Sequence, residues 1–148
     1  MLVPYSRKVW RCSGSGIQGG IANLLIDLGN LNFDEQDYTN ARSLFEESLQ
    51  IFGELGDRRG IASLLQGFVG LADAQGKPEQ ALRLAGAAEK LREKIGLTLP
   101  KNEKEKLEHR IKHAQKGLPK KEFLAEWEQG RSMTLNKAIE YALTIETE

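Results

Sequence analysis

The sequence predicts an all-α protein: a solenoid of antiparallel helix pairs, about seven helices in all, with a degenerate helical cap at the C-terminal end. Three observations predict it. The chain repeats itself, Gly20-Ile21-Ala22 returning as Gly60-Ile61-Ala62, 40 residues on. The echo stays in step through Leu24/Leu64, Leu25/Leu65, Leu28/Phe68, Leu31/Leu71, Ala41/Ala81, Leu44/Leu84 and Ser48/Ala88. Within each unit apolar residues recur at spacings of three and four, the period of one helix face. Finally, no segment sustains the period-two alternation of a half-buried strand.

Each element follows from this pattern. Residues 1–19 read apart from the rest: Pro4 opens a short helix through Trp10, and Ser13-Gly14-Ser15-Gly16 is a flexible linker. The stretch is a poorly ordered leader or the remnant of a preceding repeat. Residues 17–32 form the first helix of the first unit, with Ile21, Leu24, Leu25, Leu28 and Leu31 on its inner face. After the polar turn Asp34-Glu35-Gln36-Asp37, a second helix turns Tyr38, Ala41, Leu44, Phe45, Leu49 and Phe52 inward. Gly56-Asp57 stops it, since glycine accepts the left-handed conformation of a helix end. The second unit repeats the plan with Ile61, Leu64, Leu65, Phe68, Leu71 and Ala72, then Gly76-Lys77-Pro78 as the turn. Pro78 suits a first helical position, where its missing N–H costs nothing. The next helix carries Ala81, Leu84, Ala85, Ala88, Leu91 and Ile95, its three alanines allowing a close neighbour. These two units occupy residues 20–100.

Residues 101–148 leave the period and form the cap. Asn102 is the expected N-cap of a charged helix with the narrow stripe Leu107, Ile111, Ala114 and Leu118. Pro119 opens another helix with Phe123, Leu124 and Trp127, ending near Gly130. Thr134 caps the last, which holds Leu135, Ala138, Ile139, Ala142 and Leu143. A polar, narrow-striped terminal region is what a solenoid needs to close its end.

Charge and cysteine content limit the chemistry. The net charge is zero, so the whole molecule is not steered to nucleic acid or membrane. Residues 27–57 nevertheless hold eight carboxylates against Arg42, and residues 89–121 hold eleven Lys/Arg against five glutamates. Cys12 is the only cysteine, which excludes an intrachain disulfide and favours a reducing compartment. Arg7, Lys8 and Arg11 interrupt any signal-peptide core, and no apolar run approaches the ~20 residues of a membrane span. A cytoplasmic protein is the expectation.

With Ala41 at the central small position of the second helix, the first unit resembles a tetratricopeptide repeat. Leu28-Gly29 falls at that family's Leu-Gly pair, Asp37-Tyr38 at its turn, and Phe45 and Ser48 at its aromatic and small positions. The second unit keeps Gly76, Ala81 and Ala88, with Val69 in place of the glycine and Ala85 in place of the aromatic. The period of 40 exceeds the usual 34 by about six residues, which are expected at the junction of the units, residues 52–59.

A narrower resemblance covers residues 48–143. Leu55-Gly56-Asp57-Arg58-Arg59-Gly60-Ile61-Ala62, Ala87-Ala88-Glu89-Lys90-Leu91-Arg92 and Ala125-Glu126-Trp127 with Gly130 and Leu135 resemble one repeat region. It is the C-terminal region of large bacterial signal-transduction ATPases and their LuxR- or SARP-type regulator relatives. No Gly-Lys-Ser/Thr phosphate loop occurs, and no helix-turn-helix follows Leu143. The resemblance therefore implies the sensor or scaffold part, without motor or DNA reader.

The expected function is non-catalytic binding of a protein or peptide, with no cofactor and no metal. His109 and His113, with Glu105 one turn earlier, make at most a fragment of a metal site, and a solvated helix face explains them better. Cys12 has no neighbour that would activate it. The family resemblance implies a concave groove lined by the first helix of each pair, at Asn23, Ile26, Asn30, Phe33, Ser63, Gln66, Gly70 and Asp73. Lysines for a carboxylate clamp are absent there, which disfavours chaperone-tail binding. Two alternatives stand. One is self-association into a homodimer, because the N-terminal end leaves Leu24, Leu25 and Leu28 poorly covered. The weaker is nucleic-acid binding through residues 101–121, where glutamates interleave the charge and aromatics for stacking are few.

Overall fold

The computed structural model describes residues 15–144. The expected helix through Trp10, the first half of the Ser13–Gly16 linker and Cys12 lie outside the described residues. Seven helices follow one another: α1 (Ser15–Asp34), α2 (Tyr38–Leu55), α3 (Arg58–Ala74), α4 (Pro78–Ile95), α5 (Lys101–Lys116), α6 (Lys120–Arg131) and α7 (Leu135–Thr144). There is no strand among the described residues. The first helix begins at Ser15, so Ser15 and Gly16 are helical rather than linker.

The turns are cut to a 20-residue beat. Backbone φ is positive at Gln36, Gly56, Gly76 and Gly96, each 20 residues from the last. Gly56 and Gly96 end α2 and α4 in the left-handed region, as expected of helix-stop glycines. Gln36 takes the same conformation without being glycine, the position where the two units differ in sequence but not in backbone. Asp37 and Asp57 cap α2 and α3, their carboxylates accepting from the Asn40 and Gly60 amides at 3.3 and 3.1 Å. Pro78 is the first residue of α4, and the Thr134 hydroxyl accepts from the Lys137 amide ahead of α7.

Two local expectations are corrected. Asn102 is not a cap: α5 starts at Lys101 behind Pro100, so Asn102 lies inside the first turn. The longer period does not lengthen the junction either, for Phe52–Leu55 are still helical and only Gly56 and Asp57 connect α2 to α3. The extra residues extend the helices, each helix with its turn taking 20 residues instead of the roughly 17 of a 34-residue unit.

The core lies between α2, α3 and α4. Phe45, Leu49, Phe52, Ile61, Leu64, Leu65, Phe68, Leu71, Leu82 and Leu84 are all fully buried. The Phe45 and Phe68 rings meet at 6.0 Å, tilted 58° to one another, and tie α2 to α3. Ser48 is buried with them and its hydroxyl donates to the Ala22 carbonyl at 2.8 Å. That carbonyl sits inside α1 and keeps its helical bond, so Ser48→Ala is expected to cost no more than about 1 kcal/mol in chemical denaturation. Ala88, the residue 40 positions on, is fully buried without such a hydroxyl.

The expected inner face of α1 is the principal correction. Ile21, Leu24, Leu28 and Leu31 are 40%, 57%, 41% and 60% exposed, and it is Ala22 and Gly29 that turn to α2. Their counterparts Ile61, Leu64, Phe68 and Leu71 are at most 1% exposed on a helix that has α2 packed before it, with Phe45 against the Phe68 ring. Among the described residues no helix stands before α1 to do the same. The helix is therefore buried along a narrow line of small residues, where Gly29 lets the Phe45 ring approach: a Cβ there would stand 2.5 Å from it.

At the other end α6 packs along α4, with the Gly130 backbone against the Arg83 carbonyl and Gly86 against the Trp127 carbonyl. Polar ties reinforce this contact. Arg83 pairs with Glu126 at 2.6 Å and lies 5.1 Å above the Tyr141 ring, joining α4, α6 and α7. Arg131 reaches back to Glu89 and to Glu93, the latter at 2.8 Å. The Arg42 guanidinium donates to the Leu143 carbonyl at 2.9 Å and holds the end of α7 against α2.

Candidate functional site: a groove between three helices

A groove of about 330 Å³ runs between α1, α3 and α5. Six of the expected residues line it together: Asn23, Ile26, Asn30 and Phe33 from α1, Ser63 and Gln66 from α3. They converge because residues 23, 26, 30 and 33 follow the three-and-four spacing of one helix face, on a different side of α1 from the apolar stripe above. Asn23, Asn30 and Ser63 are exposed, whereas Ile26, Phe33 and Gln66 are half-buried. The wall is thus amide and hydroxyl groups around two apolar side chains.

The far end of the expected groove is filled by the protein itself. Asp73 accepts no visitor there: its carboxylate pairs with His113 of α5 at 2.7 Å. Gly70 lies beneath the Arg110 guanidinium, which a Cβ would meet at 3.0 Å. The same guanidinium covers the Phe33 ring at 5.1 Å. Burial pushes the Arg110 pKa down from its ordinary value, while Asp73 and Asp34 oppose the shift. Lys106 and Glu103 complete the α5 wall one and two turns before Arg110.

These α5 residues were missed because sequence position says nothing about which side of the stack a departing helix will take. One signal existed. Glu103, Lys106 and Arg110 lie three and four apart on a face that adjoins Leu107 and Ala114, which are buried. His113 is engaged with Asp73, and among the described residues no group of three His, Cys, Asp or Glu side chains could hold a metal ion. No described helix is long and apolar enough to cross a membrane.

Paired antiparallel helices repeating at a fixed period, with a groove on the side of the first helix of each pair, define a helical-repeat solenoid. Residues 20–94 match the family model of the tetratricopeptide repeat. The chain belongs to the tetratricopeptide repeat family, whose repeats generally mediate contacts between proteins. Neither the curated proteins nor the solved structures gave a match.

Proposed function

We propose that the chain is a non-catalytic binding module that holds a segment of a partner protein in the groove between α1, α3 and α5. The observation that carries this reading is the groove itself, whose wall combines Asn23, Asn30 and Gln66 with the half-buried Ile26 and Phe33. Side-chain amides can both donate to and accept from a peptide backbone, and the two apolar groups offer a seat for one anchoring side chain. Asp27 and Glu103 stand exposed against Lys106, so charge is offered in both signs along the groove. The motifs shared with the repeat regions of bacterial signal-transduction ATPases favour a regulatory or scaffolding setting.

Self-association is a second reading, favoured by the uncovered stripe on α1. For nucleic acid the support is thinner. Within residues 101–121, Arg110 is spent inside the fold on Phe33, and glutamates interleave the lysines.

Peptides selected from a random library on the immobilised chain provide the test. Asn30→Arg with Gln66→Arg is expected to weaken the selected peptides at least ten-fold and leave the melting temperature within about 2 °C, since neither side chain is buried. Unchanged affinity in the double variant would place the binding surface elsewhere.

A further inference from the structure

Five of the six large hydrophobic side chains left exposed among the described residues lie on one helix: Ile17, Ile21, Leu24, Leu28 and Leu31 of α1. They form a single stripe, following the three-and-four spacing along about 21 Å of helix. Asp27 is the only charged side chain between Ser15 and Phe33, so the surface is nearly neutral as well as apolar. A patch of this kind, about half exposed at each of five large residues, marks an interaction site rather than ordinary surface.

The repeat says what geometry the stripe accepts. In the second unit the same positions, Ile61, Leu64, Phe68 and Leu71, are buried, and at Phe68 the ring meets Phe45 of the antiparallel helix α2. The stripe is therefore shaped for another apolar helix laid along it. A copy of this chain could supply one in two ways. Head-to-tail stacking would use the outward face of α4, which stands to its unit as α2 does to the first. That face is taken: α6 lies on it at backbone contact through Gly86 and Gly130, pinned by Arg83–Glu126 and by Arg131. The stripe's one remaining apolar complement of its own length in the described chain is the stripe itself.

We infer that two copies of this chain pair through α1 against α1, antiparallel about a two-fold axis near Leu24, into a closed dimer. An antiparallel crossing centred there sets Ile17 against Leu31 and Ile21 against Leu28, and with Asp27 as the single charge on that stretch of each copy, at the flank of the stripe, little like-charge repulsion opposes self-pairing. Burying the exposed half of these five side chains gives a contact of about 500 Å² on each side, roughly 1,000 Å² in all, the size of a weak and reversible interface. The inference deepens the self-association reading and rests on it. The groove residues Asn23, Ile26 and Asn30 lie on a different face of α1, so both grooves stay open and the dimer is bivalent.

Sedimentation of the full 148-residue chain between about 1 and 200 μM tests the pairing, micromolar to submillimolar being the range expected of an interface of this size. The expected result is a monomer–dimer equilibrium that stops at two. Leu24→Glu, which places two carboxylates at the axis, is expected to shift it at least ten-fold toward monomer with unchanged helicity. Leu124→Glu, at the exposed leucine of α6, is expected to leave it unaltered. A monomer at every concentration would overturn self-association itself, including the case where another part of this chain covers the stripe. Growth beyond two would overturn the closed geometry alone. Dimers insensitive to Leu24→Glu would put the interface on another surface.

Discussion

Gly130→Ala is expected to be the most damaging single-methyl change in the protein, costing about 3 kcal/mol or more. Its new Cβ would overlap the Arg83 carbonyl oxygen and crowd the Arg83 Cα at 3.0 Å. Backbone atoms cannot rotate away as a side chain can, so α6 must move off α4 as a whole. With that movement go the close contact of Gly86 with the Trp127 carbonyl and the Arg83–Glu126 pair at 2.6 Å. Thermal unfolding checks it, with a drop of roughly 10 °C expected for a domain of this size. A cost below about 1 kcal/mol would mean that α6 does not seal the stack through this crossing.

Phe45→Ala is expected to cost about 4 kcal/mol, the range for emptying a large buried aromatic site. Phe45, on α2, is 1% exposed and touches both α1 and α3. Its ring meets Phe68 of α3 at 6.0 Å, and a Cβ added at Gly29 of α1 or Gly67 of α3 would stand 2.5 or 3.1 Å from it. Neither glycine can grow to fill the cavity, because each lies on a helix backbone. The change should lower the denaturant midpoint with little change of slope, since the surface exposed on unfolding is nearly the same. Phe45→Leu should recover more than half the loss. Equal losses for alanine and leucine would mean that ring contacts, rather than filled volume, hold α1 and α2 to α3.

Most of the stack was legible in the sequence because its signals are local. Gly56, Gly96 and Pro78 have backbone preferences that no distant contact need supply, and each stands where those preferences place it. The groove positions on α1 were legible for a similar reason, since spacing alone puts residues 23, 26, 30 and 33 on one side of a helix. What periodicity cannot tell is which of two apolar stripes is covered. The pattern Ile21, Leu24, Leu28, Leu31 is identical in kind to Ile61, Leu64, Phe68, Leu71, yet one is exposed and the other buried. The difference lies in the neighbours that the described residues supply, α2 before α3 and none before α1, and not in the stripe. Ala22 and Gly29, which do meet α2, carry too little hydrophobic weight to be noticed.

The same limit applies to α5. Its stripe of Leu107 and Ala114 marks a face to bury, and both are buried. Which side of the stack it would cross depends on the five-residue link from Gly96 to Pro100, whose sequence has no directional signal. Its course puts Arg110 over Phe33 and His113 on Asp73, shortening the groove to the half beside α1. The groove is consequently walled by two helices of the repeat and one of the cap.

Backbone hydrogen exchange of the chain with and without a bound peptide tests that arrangement most directly. The expected result is added protection confined to residues 23–34 of α1, 63–70 of α3 and 103–110 of α5. Protection that fell instead on α2 and α4, with these three segments unchanged, would contradict the groove as the binding surface.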